Sequence, residues 1–513
     1  MSRTRTTSGR PPASGPGHRA VLAVVCLGLA TVVSAVSALN VAIPSIARET
    51  AAPQTQLSWI IDAYALTFAA LLLPFGALGD RLGRRRTLVA GLVVFAAAAA
   101  MAMTTSSPEA LVALRGLLGA GAALVMPATL STITATFPDD ERLKGVAVWT
   151  GVAGASAVLG LLASGLLLEA WSWQSVFGLN VGMALVALAG TLRVVPESRH
   201  DGHVGLDPVG SLLSVGAFAA VVYGLIEAPH QGWASAATLG CLGGGLALLV
   251  LFLLWEAHTA HPLLDPRLFA RPAFAAGTLS VLVQFTAFFG FVFVFLQYLQ
   301  LVRGWSPLEA ALGMVPLALG IMPGSRVAPR VAAHVGRVRV SGLGLLLLTG
   351  GLALLWRADL TTSYGVLAVS IWLGGLGMGL AMTPATTAIT DALPREQQGV
   401  ASAVNDLARE LGGAIGIAVL GSLLNDGYRS AVAGAGLPHE VAARAQESVA
   451  GALQLGPEAA AAARTAFVAG QQDALLLAAA SVAGAGVVVV GLLHRASRSA
   501  RPELSAAAQA HRP

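Results

Sequence analysis

The chain has 513 residues, 55% of them hydrophobic and 11% charged, with a net charge of +5 and a mean hydropathy of +0.73. Soluble domains carry about 25% charged residues, so a water-facing surface of this size is excluded, and the continuous, non-alternating apolar runs point to membrane helices rather than a barrel. Its arginines are spread over short loops with no basic domain to grip phosphates, so nucleic acid is not an expected partner.

In chain order, residues 1–19 are basic and rich in Ser, Gly and Pro, a composition that predicts a disordered tail. The apolar segment after it lacks a small-residue cleavage site and is too long for a signal peptide, so it is expected to span the membrane. Crossing about 30 Å of hydrocarbon takes about 20 apolar residues. Fourteen spans are predicted: 20–43, 57–78, 88–106, 109–133, 146–168, 173–193, 208–228, 234–256, 274–299, 308–324, 340–357, 363–389, 399–424 and 472–493. The tenth is short and holds Pro316 and Pro323. With the N-terminus inside, 23 of the 31 Lys and Arg residues fall on the cytoplasmic side, which predicts both termini there. Residues 425–471 are Ala-rich with amphipathic stretches and are expected to form a pair of short helices over the outer face.

Cys26 and Cys241 each lie inside an apolar run, so neither reads as a disulfide or a metal site. A single lysine (Lys144) and abundant Ala and Gly hint at a GC-rich bacterial genome. The phosphate loop G-x-x-x-x-G-K-[ST], H-E-x-x-H and G-x-S-x-G are all missing, which disfavours an enzyme or an ATP-driven pump.

The second span runs into "GALGDRLGRRRTL", residues 76–88. Its glycines allow a tight turn, and its charges can form a network at one membrane face. This stretch, at Gly76, Asp80, Arg81, Gly83, Arg84 and Arg85, resembles the signature loop between helices 2 and 3 of the major facilitator superfamily. "LVALRGLLGAGAALVMPATL" (111–130), "WSWQSVFGLNV" (171–181), "ALNVAIPSI" (38–46) and "GVASAVNDLARELGGAIGIAVLGSLL" (399–424) resemble segments of its fourteen-helix drug:proton antiporters. The resemblance implies an all-α polytopic fold of two six-helix bundles, 20–193 and 274–493. A connector at 194–273 would carry two inserted helices, and 494–513 would be a cytoplasmic tail. It further implies a monomer in the bacterial cytoplasmic membrane that exports lipophilic small molecules against protons, without a cofactor or metal. Three positions depart from the family's pattern: Ala35 replaces a first-helix acid, Leu118 a glutamine, and "GLLASG" (160–165) has Leu161 for a proline and Ser164 for a glycine. The degenerate antiporter motif leaves open a proton-coupled metabolite transporter, working in either direction, and a non-transporting sensor on the same fold.

Charges inside a membrane need partners or a task. Asp62 lies about 8 Å, and Arg115 about 9 Å, from the outer ends of their helices. Their matching depth predicts an ion pair or water-linked coupling, which serves either proton coupling or static packing. On the thirteenth span, Asp406 and Glu410 share a helical face and compete for Arg409. That cluster could carry protons or could partner the Asp80 loop. Glu169, Glu227 and Glu256 lie at helix ends and read as solvated. The ninth span holds seven of the sixteen phenylalanines. By family position it should line a substrate cavity, with Gln284, Phe285, Phe288, Phe289, Gln297 and Tyr298 as candidates. Asn40, Trp59, Tyr64 and Asn405 join them from other spans. The alternative is that at least half of these phenylalanine rings face lipid.

Overall fold

A computed structural model describes residues 16–50, 54–198 and 207–510; most of the N-terminal tail and part of the connector lie outside the described residues. The helices are α1 (Pro16–Thr50), α2 (Gln54–Leu82), α3 (Arg84–Ala102), α4 (Pro108–Thr136), α5 (Asp139–Ala170), α6 (Gln174–Val194), α7 (Pro208–Gln231) and α8 (Ala236–His258). They continue as α9 (Pro272–Gln297), α10 (Pro307–Gly313), α11 (Val315–Val335), α12 (Arg337–Trp356), α13 (Tyr364–Asp391), α14 (Gln398–Ala433), α15 (His439–Glu447), α16 (Val449–Ala452) and α17 (Pro457–Ala510). No strand occurs among the described residues. Fourteen helical segments are long and apolar enough to cross a membrane, with α10 and α11 together making one of them. In lipid the backbone must satisfy its own hydrogen bonds, which is why apolar runs of this length resolve as helices.

Turns between helices are short. One residue, Gly83 at φ 107°, separates α2 from α3, and Gly336 at φ 88° separates α11 from α12. Both conformations are left-handed, the region glycine enters without a Cβ clash. Where loops allow it, side chains cap the helices: Ser107 accepts from Ala110 N at 3.2 Å and Asp207 from Gly210 N at 2.8 Å.

Helices α1–α6 pack among themselves, as do α9–α14 with α17. The two sets meet where α5 runs beside α10, α11 and α13, and where α14 runs beside α2 and α4. Helices α7 and α8 form a hairpin; α7 touches both α2 and α14, whereas α8 leaves its leucines outward, Leu246 58% exposed. Such faces suit lipid contact.

Several boundaries differ from those expected. The tenth span runs over Pro307–Val335, not 308–324, so Arg326 and Arg330 sit on exposed helix rather than in a loop. After a break at Met314, Pro316 takes a place in the first turn of α11, where no intrahelical N–H is needed, whereas Pro323 and Pro329 lie inside the helix. Helix α14 continues to Ala433 and α17 starts at Pro457, which shortens the expected 425–471 loop to a link carrying α15 and α16. Tyr428 Oη donates to Ala445 O at 2.8 Å and ties α15 against α14.

Candidate functional site

The signature loop holds the two helix sets together at the arginine-rich face. Asp80 is 3% exposed. Its Oδ1 accepts from Arg84 Nη2 at 2.7 Å and from Gly399 N at 2.8 Å, and its Oδ2 from Val400 N at 3.1 Å. The carboxylate thus caps the first turn of α14, where helix dipole and free N–H groups favour a negative charge. Arg84 Nη2 also donates to Arg395 O at 2.7 Å. A Cβ on Gly76 would come 2.6 Å from Gly399 O, so α2 and α14 meet backbone to backbone. Arg85 donates to Leu192 O at 2.6 Å, while Arg81 is exposed. Further pairs join the halves nearby: Arg395 to Asp139 at 2.8 Å, and Arg142 to Asp391 at 3.3 Å. The Asp80 loop therefore partners the start of α14, not the cluster at Asp406–Glu410 seven or more residues further on.

The expected Asp62–Arg115 ion pair does not form. Arg115 is 1% exposed; its Nε donates to Ile60 O at 2.9 Å and its guanidinium lies 4.4 Å above the Tyr64 ring. The reason is helical phase. Ile60 and Tyr64 are one turn apart and share the face toward α4, whereas Asp62 is rotated by about 200° from Ile60. Asp62 shares its side with Trp59, whose ring stands 5.7 Å from Tyr223 on α7. The charged groups acting on Asp62 are Glu227, one turn beyond Tyr223, and Arg115. Trp233 Nε1, in the turn after α7, donates to Ser422 Oγ on α14 at 3.0 Å, so this hairpin closes the seam between α2 and α14.

On α14, Asn405, Asp406 and Arg409 are buried and Glu410 is partly exposed. Arg409 Nη1 lies 3.5 Å from Asp406 Oδ1, and Asn405 Nδ2 donates to the same oxygen at 3.2 Å. Asn405 in turn accepts from Thr386 Oγ1 on α13 at 3.0 Å. The Arg409 guanidinium is sandwiched between Phe285 on α9, at 4.6 Å, and Trp149 on α5, at 5.2 Å. Trp149 is held by its own bond to Thr129 Oγ1 on α4 at 3.0 Å. Asp406 Oδ2 and Arg409 Nη1 are buried without a hydrogen-bond partner. An unsatisfied buried polar atom costs about 1–3 kcal/mol, so these are the places where a proton or a polar ligand atom gains most. Helix α14 packs on both α2 and α4, which carry Tyr64 and Arg115.

The remaining cavity candidates divide. The Phe285 ring is tilted against Phe288 at 6.0 Å and Phe289 at 5.9 Å, but Phe288 also lines a void of about 20 Å³ within the second helix set, with Leu317 and Leu348. Tyr298 is fully buried and donates to Asp359 O at 2.9 Å, and Gln297 donates to its own helix at Phe293 O; both lie apart from the α14 cluster. Gln284 is buried against Ser280 with its Oε1 unpartnered. Of the seven phenylalanines, Phe274, Phe285, Phe288, Phe291 and Phe295 are buried and Phe293 is 39% exposed, so lipid does not take half of them. The Asn40 side chain lies outside the described residues.

Sequence reasoning missed Trp149 and misjudged Glu256. Glu256 is 2% exposed and accepts from Leu264 N at 3.1 Å beside Asp207, so it is not solvated. Glu227 faces Asp62. The Trp59/Asp62 and Tyr223/Glu227 spacings, each an aromatic residue with an acid one turn on, were the available signal. The degenerate 160–165 stretch still packs tightly: Ser164 Oγ donates to Ala38 O at 2.7 Å, and a Cβ on Gly160 would come 2.7 Å from Ser34 O.

Comparison with known proteins matches this arrangement. The family model described as Major Facilitator Superfamily aligns with residues 25–417. The multidrug efflux pump LfrA of Mycolicibacterium smegmatis is 35% identical over 495 residues, covering 94% of this chain and 98% of that protein. The tetracenomycin C resistance and export protein of Streptomyces glaucescens is 33% identical over 419 residues, covering 80% and 77%. Among solved structures, the human organic anion transporter MFSD10 superposes with a TM-score of 0.61 at 16% identity, covering 93% of this chain and all of that one, and shares the fold. The chain is a multi-pass membrane transporter, not an enzyme, and it belongs to the major facilitator superfamily.

Proposed function

We propose that the chain exports lipophilic, cationic small molecules in exchange for protons. It works as a monomer in the bacterial cytoplasmic membrane, with the arginine-rich face and both termini inside. Residues 20–193 and 274–493 are the two halves that rock about the central site, and the Asp80–α14 contact closes the cytoplasmic side in one of the two states. The observation that carries this reading is the α14 cluster: a buried arginine held by two aromatic rings, one carboxylate beside it and a second, the partly exposed Glu410, at the next position. Proton binding at these acids changes the net charge next to a lipophilic cation, which couples the two equilibria. Asp62, reached by Arg115 and Glu227, is a second proton-carrying residue. Relatives named for multidrug efflux and for tetracenomycin C resistance and export support a drug as substrate and the outward direction.

The test is transport in inverted vesicles with an imposed proton gradient. Accumulation of a fluorescent lipophilic cation that collapses with the gradient is expected; movement in the opposite sense overturns the export reading. Asp62→Asn is expected to abolish gradient-driven accumulation in a folded protein, and unchanged accumulation removes Asp62 from the mechanism.

A further inference from the structure

An open groove lies away from the central cluster, between α14 and α17, with a volume of about 870 Å³. Helix α17 packs on α9, α12 and α14, so the groove opens on the outer wall of the second helix set and not toward α2 or α5. Its lining is apolar along Leu423, Leu476, Leu477 and Ala480, and acidic at one end, where Asp426 and Asp473 stand.

The two carboxylates are brought together by a glycine crossing. A Cβ on Gly427 would lie 2.7 Å from Gly470 Cα, so α14 and α17 touch through their backbones there. Asp473 Oδ2 sits 3.1 Å from that same position, next to Asp426 in the chain. Both acids are exposed, and among the described residues neither makes a hydrogen bond or ion pair. Arg429, three residues on, donates its Nε to Gln446 O at 3.3 Å instead. Two negative charges therefore share a site without a counter-charge.

The groove has a direction as well. From Asp473 to Ala480 is seven residues, about 10 Å along the helix. Asp426 lies 28 residues beyond the start of α14 at the arginine-rich face, about 42 Å along its axis. The carboxylates are thus at the level of the opposite membrane interface, and the leucines lead from them into the hydrocarbon. Polar end at the interface and apolar end in the bilayer is the arrangement of an amphiphile resting in one leaflet. The volume falls in the range of small-molecule sites, about 300–1,000 Å³.

We infer that this groove binds an amphiphilic organic cation, its ammonium head between Asp426 and Asp473 and its apolar body along Leu423, Leu476 and Leu477. The site is peripheral to the transport path, and its occupancy does not depend on proton coupling or on the direction of transport. Charge complementarity selects the ligand: an anionic amphiphile is repelled, and a neutral one leaves both carboxylates without a partner.

The test is equilibrium binding of radiolabelled dodecyltrimethylammonium to the full chain in maltoside micelles. The native chain and an Asp426→Asn/Asp473→Asn variant are compared, with dodecanol as the neutral probe. The double variant is expected to bind the cation about tenfold more weakly, equivalent to about 1.4 kcal/mol, with dodecanol binding unchanged. Leu477→Trp, which fills the groove and leaves both acids, is expected to weaken the cation to the same degree. Equal cation affinity in the native chain and the double variant overturns the inference. So does dodecanol binding as tightly as the cation, since the groove is then a site for lipid chains alone. Because binding is read without a gradient, a failed export assay leaves this result standing, and the reverse holds too.

Discussion

Helix α14 carries two charged centres that are built in opposite ways. At its first turn, Asp80 accepts three hydrogen bonds and uses both oxygens, and the helices around it touch through glycines. Seven to eleven residues on, Asp406 keeps one oxygen unpartnered, Arg409 Nη1 reaches the other only as a 3.5 Å ion pair without a hydrogen bond, and Glu410 has no ion pair. Both centres lie between the two helix sets, and each leaves an arginine nitrogen without a hydrogen bond, Arg84 Nε in one and Arg409 Nη1 in the other; what distinguishes them is saturation of the carboxylate. A carboxylate whose oxygens are all taken locks two elements together. One that keeps free valence can accept a proton or a ligand without first breaking a bond. The contrast assigns holding to the first centre and working to the second.

The hardest blow to the locked centre is Asp80→Ala, which leaves Arg84 buried without its counter-charge. A loss of about 3–5 kcal/mol is expected, measured as lowered thermal stability in detergent; an unshifted melting curve means that Asp80 is not a lock. At the open centre, Glu410→Gln is expected to leave stability alone and to lower gradient-driven efflux about 100-fold, the upper range of coupling between sites. If efflux persists while stability falls, the two centres have exchanged roles. Gly399→Ala drives a Cβ into the Gly76 carbonyl oxygen. Separating α2 from α14 in this way is expected to cost about 1–3 kcal/mol, read in the same melting experiment, with a matching change in the rate of opening. The control is Phe293→Ala on the outward face of α9, expected to stay within about 0.5 kcal/mol and to transport normally.

Much of this molecule is written along the chain. Fourteen helices follow from runs of apolar residues, because lipid forces the backbone to bond to itself. The loop at Gly76–Arg85 is legible because a left-handed glycine and a capping carboxylate are local requirements at a helix–turn–helix junction. The pairing of charges is not local. Asp62 and Arg115 lie at matching depths, yet two residues of helical rotation turn Asp62 toward α7 and give Arg115 to Ile60 and Tyr64. Depth can be counted from sequence, but azimuth depends on which helix stands beside which. The same limit hid Trp149 against Arg409, the burial of Glu256, and the meeting of Asp426 with Asp473 from helices 47 positions apart in sequence. The spans and the membrane-face charge asymmetry can be read from the chain alone, because both are properties of contiguous residues. The tertiary structure decided which charges have partners and which remain free, because partnership is set by helix packing and not by order along the chain.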